Sequence, residues 1–307
     1  MTGVAGFWDP HLPADPAGSG FDWVAAKRDL YGDDIDPTTP AMVRVWHALC
    51  GGKDCLPVDR HFGDFANQVS PQLVRAAVDR LAFRARVTRT LVGACGVGQL
   101  LVAGTDLPLM CDEVHTVAQA IDPTTRVVYA DTDPIVVLMA EVQLHSPWAD
   151  TCAHISAGPG EPEALLAAAL TVLDPAEPVG VLLINSLDCL EEAAAAHAME
   201  VMRARLPHSS YIAVCQLTGQ TSQRVARLGT LQDRPIPGLP RPRTPADVTA
   251  LFTVPEFEVV APGIVPASRW RPDPSPSLPE STVGDPADLW CGVGRICGPR
   301  PKRGVRR

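Results

Sequence analysis

The carboxylate best placed to do specific chemistry is Asp131, which ends the apolar run Arg126–Ala130. An acid at the carboxyl end of a strand can accept hydrogen bonds from both hydroxyls of a ribose, which points to an adenosine-containing ligand. Asp133 follows, directly before Pro134. It reads either as the rim of the same site or as the N-cap of the next helix, and the proline favours the cap. The preceding apolar run, Leu100 to Ala103, opens into the loop Gly104-Thr105-Asp106-Leu107-Pro108. Gly104, Thr105 and Asp106 of this loop, with Asp131, Thr132, Gly158 and Asn185, make up the candidate cofactor set. His115, Asn185 and Asp188 are the candidate pocket groups. Asn185 and Asp188 read equally as caps for the helix at Glu191, and His115 as a helix-face residue.

The loop decides between nucleotide chemistries. A dinucleotide site needs GxGxxG opening a helix, so that backbone N–H groups reach a pyrophosphate. Here there is one glycine before Leu107-Pro108, so that cradle cannot form. A sulfonium cofactor carries no phosphate, and one close backbone approach suffices for it. The loop therefore argues for a methyl donor over a nicotinamide dinucleotide.

Strands and helices must hold these residues at one edge of a sheet. Thr39 and Pro40 are expected to open a helix through Met42, Val45, Trp46 and Leu49, with Gly51-Gly52 ending it. A polar turn is expected from Gly51 to Arg60, and Ser70-Pro71 to open a long second helix. Beyond residue 97, strands read at Leu100–Ala103, Arg126–Ala130, His154–Ala157, Val179–Ile184 and Tyr211–Gln216, alternating with helical patterns. That alternation predicts a mostly parallel α/β sheet with right-handed crossovers. Thr244-Pro245 with Asp247 restarts a short helix after a polar segment. Phe257–Val260 and the stretch around Trp270 are expected to form a final hairpin. The domain reading is an arm over 1–35, a helical cap over 36–95, a Rossmann-like domain over 96–273 and a disordered tail over 274–307.

Composition excludes several classes. The chain of 307 residues carries a formal charge of −9, and its basic cluster is confined to Arg300–Arg307. Nucleic-acid binders draw their affinity from concentrated basic surface, so no nucleic-acid partner is expected. The nine cysteines are scattered without a CxxC pair, so no metal site is expected. No apolar stretch is long enough to span a bilayer, and Met1–Asp22 lacks the pattern of a secretion signal. The expectation is a soluble cytoplasmic protein acting on a small molecule; the pattern is silent on oligomeric state.

Several motifs in order carry a more specific likeness. Ala41 to Asp54 (AMVRVWHALCGGKD), the Asp59-Arg60 pair, Val114-His115 with Val117-Ala118-Gln119, and Val127 to Pro134 (VVYADTDP) form the longer part of the series. Pro262-Gly263 and Trp270-Arg271-Pro272 complete it. The chain resembles the actinobacterial S-adenosyl methyltransferase family over about residues 37–273. The resemblance implies a seven-stranded class I methyltransferase fold and S-adenosylmethionine as cofactor. It also implies that Arg44, Gly52, Lys53, Asp59 and Arg60 fold over the cofactor or acceptor pocket. Equally open is that Lys53, Asp59 and Arg60 form a structural ion-pair knot joining cap to core.

The chain departs from the family pattern near the expected ligand. Where the family reads like DIGTGLPT, this chain reads Val102 to Leu109 (VAGTDLPL), so an acid is lost at Val102 and a glycine becomes Asp106. Gly158 stands where an acid usually follows the third strand, and Asp188 and Gln216 replace histidines. Each lost charged hydrogen bond is worth about 1.5–3 kcal/mol, so two losses weaken binding by about two to four decades. The expected activity is direct methyl transfer to an unidentified small-molecule acceptor. The alternative is a non-catalytic relative with a weakened or lost cofactor site.

Overall fold

The computed structural model describes residues 35–109, 112–232, 234–253, 256–272 and 288–298. The chain divides into two units, Met1–Pro37 and Thr38–Arg307, and every element below lies in the second. The expected N-terminal arm falls outside the described residues, as does the tail before 288 and after 298.

Three helices form the cap: α1 (Met42–Leu49), α2 (Pro57–Val69) and α3 (Gln72–Arg89). Of the stretch read as a polar turn from Gly51 to Arg60, residues 51–56 are non-helical and Pro57 to Arg60 are the start of α2. Pro57 occupies its first turn, and Phe62 and Ala66 are buried one turn apart. Helix α1 begins two residues later than expected: Ala41, not Thr39, is its N-cap, and its backbone N–H donates to Asp59 Oδ1 at 2.9 Å. A carboxylate from the neighbouring helix thus does the work assigned to a local threonine.

The sheet then alternates with helices: β1 (Gln99–Ala103), α4 (Val114–Gln119), β2 (Arg126–Asp131), α5 (Pro134–Gln143), β3 (Cys152–Ser156), α6 (Pro162–Ala169), β4 (Gly180–Ile184), α7 (Glu192–Arg205) and β5 (Tyr211–Leu217). After β5 come α8 (Gly219–Gly229), α9 (Pro245–Ala250), β6 (Phe257–Val259), the short β7 (Val265–Pro266) and β8 (Leu289–Ile296). The strand order is β3-β2-β1-β4-β5-β8-β6, with β7 also paired to β8. Strands β1 to β5 are mutually parallel, and β8 runs antiparallel to β5. The order reverses between β1 and β4, which places the switch point there.

Both faces of the sheet are covered. Leu100 and Val102 pack with the cap helix α3 and with Trp270, while Leu101 and Ala103 pack with α6 and α7. This is why the strands read as continuous apolar runs rather than alternating ones.

Two sequence expectations about the C-terminal part are corrected. The final hairpin does not form, because β6 and β7 each pair with β8 instead. Residues 289–296, read as disordered tail, are that central strand. Gly292 and Gly294 are close-contact points in it: a Cβ on Gly292 would lie 2.2 Å from Ile264 Cδ1, and one on Gly294 would lie 2.8 Å from the Phe252 ring. The polar segment after β5 also hides α8. Its N-terminus is served by Asp288, whose carboxylate accepts from the backbone N–H and the hydroxyl of Thr221 at 3.0 Å each. No helix among the described residues is long and apolar enough to cross a membrane.

Candidate functional site

The carboxyl ends of β1, β2 and β4 bring together Gly104, Thr105, Asp131 and Asn185. Gly104 adopts φ +92°, a region open chiefly to glycine, and both Gly104 and Thr105 donate backbone N–H bonds to Ala130 O on β2. The glycine is also a close approach. An ideal Cβ on Gly104 would lie 2.5 Å from Ser186 Cβ, so the Ser186 side chain lies against the loop across the switch point.

Asp131 is 8% exposed, and its Oδ1 accepts from the N–H groups of Thr132 and Asp133 at 2.8 Å each. Its Oδ2 accepts no hydrogen bond among the described residues. Burial pushes the carboxyl up to about 7, against the opposing backbone N–H bond from Asp133. Asp133 itself caps α5, accepting from the N–H groups of Ile135 and Val136. Next to Asp131 a narrow hollow is lined by Thr105, Tyr129, Val136 and His154, and His154 Nε2 is buried there with no partner among the described residues.

Asn185 sits just past β4 with φ +55°. Its Nδ2 donates to Asp188 at 2.9 Å, while its Oδ1 is buried without a partner among the described residues, as is Ser186 Oγ. Asp188 is 1% exposed and also accepts from Leu217 N–H at 3.2 Å, so it ties β4 to β5 and caps no helix. Burial raises its carboxyl above the ordinary value, against the opposing bond from Asn185.

The remaining sequence candidates are spread more widely. His115 is bonded through Nδ1 to the Tyr129 hydroxyl at 2.8 Å, behind the hollow rather than along its lining, and burial lowers its pKa. Gly158 packs against Thr132, where an added Cβ would meet Thr132 Cγ2 at 3.0 Å. Lys53 is exposed, and Arg60 donates to Gly52 O. Asp59 is fully buried and accepts from Ala41 N–H, Leu56 N–H and Arg44 Nε. Arg44 donates onward to Asp133. The knot that joins cap to core therefore runs Asp59–Arg44–Asp133, without Lys53 or Arg60.

His47 was not singled out in the sequence, yet it connects the glycine turn to the loop after β1. Its Nδ1 bonds Leu107 O and its Nε2 accepts from Asp54 N–H, each at 3.2 Å. These partners require one neutral tautomer, with the proton on Nδ1. Gly52 is fixed by this arrangement, since a Cβ there would lie 2.0 Å from His47 Nε2. Asp106, in the loop after β1, bonds the α3 residues Arg80 (Nη1, at 2.7 and 2.9 Å) and Arg84 (Nη1, at 3.3 Å). Arg84 also reaches Glu113 at 3.3 Å. Arg80 and Arg84 lie four apart on α3, but Asp79 and three further arginines on the same helix left this pair without a distinguishing local signal.

Residues 29–297 match the profile of the S-adenosyl methyltransferase family. The chain belongs to that family. Its fold is the Rossmann-like fold of class I methyltransferases, with a helical cap. It is similar to the crystal structure of a provisionally assigned methyltransferase from Thermobifida fusca YX, at 29% identity and TM-score 0.75, covering 87% of this chain and 99% of that one. It is also similar to a DUF574 family protein from Streptomyces avermitilis, at 28% identity and TM-score 0.76, covering 85% of this chain and 99% of that one. No curated protein matches the chain.

Proposed function

We propose that this S-adenosyl methyltransferase family member binds S-adenosylmethionine at the β1/β4 switch point and transfers its methyl group to a small-molecule acceptor. One observation carries the reading. Asp131 with an oxygen to spare, Asn185 Oδ1 and Ser186 Oγ, the last two buried and unpartnered, flank the Gly104 turn. Buried polar atoms left unmet are costly, and a hydroxyl- and amine-bearing ligand would satisfy them. Asp131 would accept from the ribose hydroxyls, and Asn185 and Ser186 would face the rest of the cofactor. When bound, the cofactor supplies an electrophilic methyl on sulfur. The chain's part is to orient it and to exclude water, which is the main source of rate in direct displacement. Asp188, fully engaged between β4 and β5, positions Asn185 rather than touching the acceptor.

A second reading, a non-catalytic binding relative, draws on the Ser186 side chain packed over Gly104, which narrows the approach to the loop. Calorimetric titration with S-adenosylhomocysteine and S-adenosylmethionine separates the two, with NAD as control. Binding that Asp131→Ala abolishes supports the methyltransferase reading. No heat from the wild-type protein at millimolar ligand favours the second.

A further inference from the structure

Arg80 lies on α3 fully buried, with its guanidinium 5.0 Å from the centre of the Trp46 ring. Only Nη1 is engaged, by both oxygens of Asp106. Nε and Nη2 are buried and have no partner among the described residues. These two nitrogens form one edge of the planar guanidinium, and their parallel N–H groups match the two oxygens of a carboxylate. A buried arginine with that edge unmet is expensive to maintain, so the arrangement points to a ligand.

Its surroundings narrow the choice. Asp106 stands two residues past Gly104, so the guanidinium is held at the same loop as the candidate cofactor site. Arg80 and Arg84 are balanced by Asp106 and Glu113. A bare carboxylate would add an uncompensated charge to this buried group, whereas an α-amino acid brings its own ammonium, for which Asp106 is an acceptor. We propose that the Nε–Nη2 edge of Arg80 is a carboxylate fork, and that it takes the α-carboxylate of the cofactor's amino-acid end, with Asp106 receiving the ammonium. The glycine-to-aspartate departure in the loop then belongs to the binding site. The cofactor assignment rests on the methyltransferase reading; the fork itself does not.

The test is calorimetry on wild type and Arg80→Lys with S-adenosylhomocysteine and with 5′-methylthioadenosine, which lacks the amino-acid end. Lysine keeps the charge but loses the fork. Weakening of S-adenosylhomocysteine by about tenfold or more, with methylthioadenosine within about twofold, is the expected result. Equal loss of both ligands would mean a structural role and overturn the proposal. If neither ligand responds to the substitution, hexanoate and benzoate are added to the S-adenosylhomocysteine complex. An Arg80-dependent rise in Tm then assigns the fork to an acceptor carboxylate and overturns the cofactor assignment; no rise overturns the fork as well. If the wild type binds neither adenosyl ligand, the methyltransferase reading fails, and the same carboxylates alone decide the fork. Should Arg80→Lys not fold, equal wild-type affinity for S-adenosylhomocysteine and its decarboxylated analogue would overturn the proposal, and tighter binding of the former would support it.

Discussion

Arg44 on the cap donates to Asp133, the residue that caps α5 two positions beyond Asp131. The same guanidinium holds Asp59 at 2.9 Å, so one side chain couples the packing of α1 and α2 to the end of β2. The placement of the candidate ribose acid thereby depends on the cap.

Removing the cation should be severe. Arg44→Met leaves Asp59 buried at 0% exposure without its counter-charge, and breaking a buried pair in this way costs about 3–5 kcal/mol. Urea denaturation of Arg44→Met, Asp59→Asn and the double variant should show a double loss smaller than the sum of the singles. Additive losses would show that the two groups do not act as a pair.

Asp131 predicts a pH dependence with a definite sign. Its folded pKa of about 7 lies above the ordinary 3.8, so across that window the folded chain holds more protons than the unfolded one. The contribution of Asp131 to stability is therefore full below the lower value and is lost as pH rises through about 7. Asp131→Asn should flatten that slope in pH-resolved melts. Ligand binding runs the other way, because hydroxyl donors favour the ionised carboxylate. S-adenosylhomocysteine should bind more weakly at about pH 6 than at about pH 8, with proton release detectable in buffers of different ionisation enthalpy. Affinity independent of pH over this range would remove Asp131 from the ligand contacts.

Gly104→Ala meets two obstacles, the positive φ and Ser186 Cβ at 2.5 Å. The conformational part alone costs about 1–3 kcal/mol. Adding Ser186→Gly should recover the steric share of the loss and leave the conformational share, read from paired melts of the single and double variants.

Gly52→Ala would drive a methyl into the His47 ring and release its bond to Leu107 O. Overpacking of this kind costs about 1–3 kcal/mol. Because Leu107 belongs to the loop after β1, the variant should also weaken S-adenosylhomocysteine, whereas Lys53→Ala, at an exposed position, should change neither stability nor affinity.

Local chemistry made much of this protein legible before any coordinates. Apolar runs separated by helical patterns gave the parallel strands, because a sheet buried on both faces needs nearly continuous hydrophobic segments. Asp133-Pro134 and Thr244-Pro245-Asp247 announced helix starts that the structure contains, since each cap is formed within a few residues. The order of motifs pointed to the family. The remainder depends on partners distant in sequence. Asp59 caps α1 from 18 residues away, Asp288 serves α8 from 67, and Arg80 meets Asp106 across 26. Glycines at 292 and 294 carry no pattern of a strand, and become one only because Phe252 and Ile264 occupy the space their side chains would need. Charge pairing and close packing are set by distance in space, so which carboxylate meets which arginine and which arginine keeps an open edge were settled only when the chain had folded.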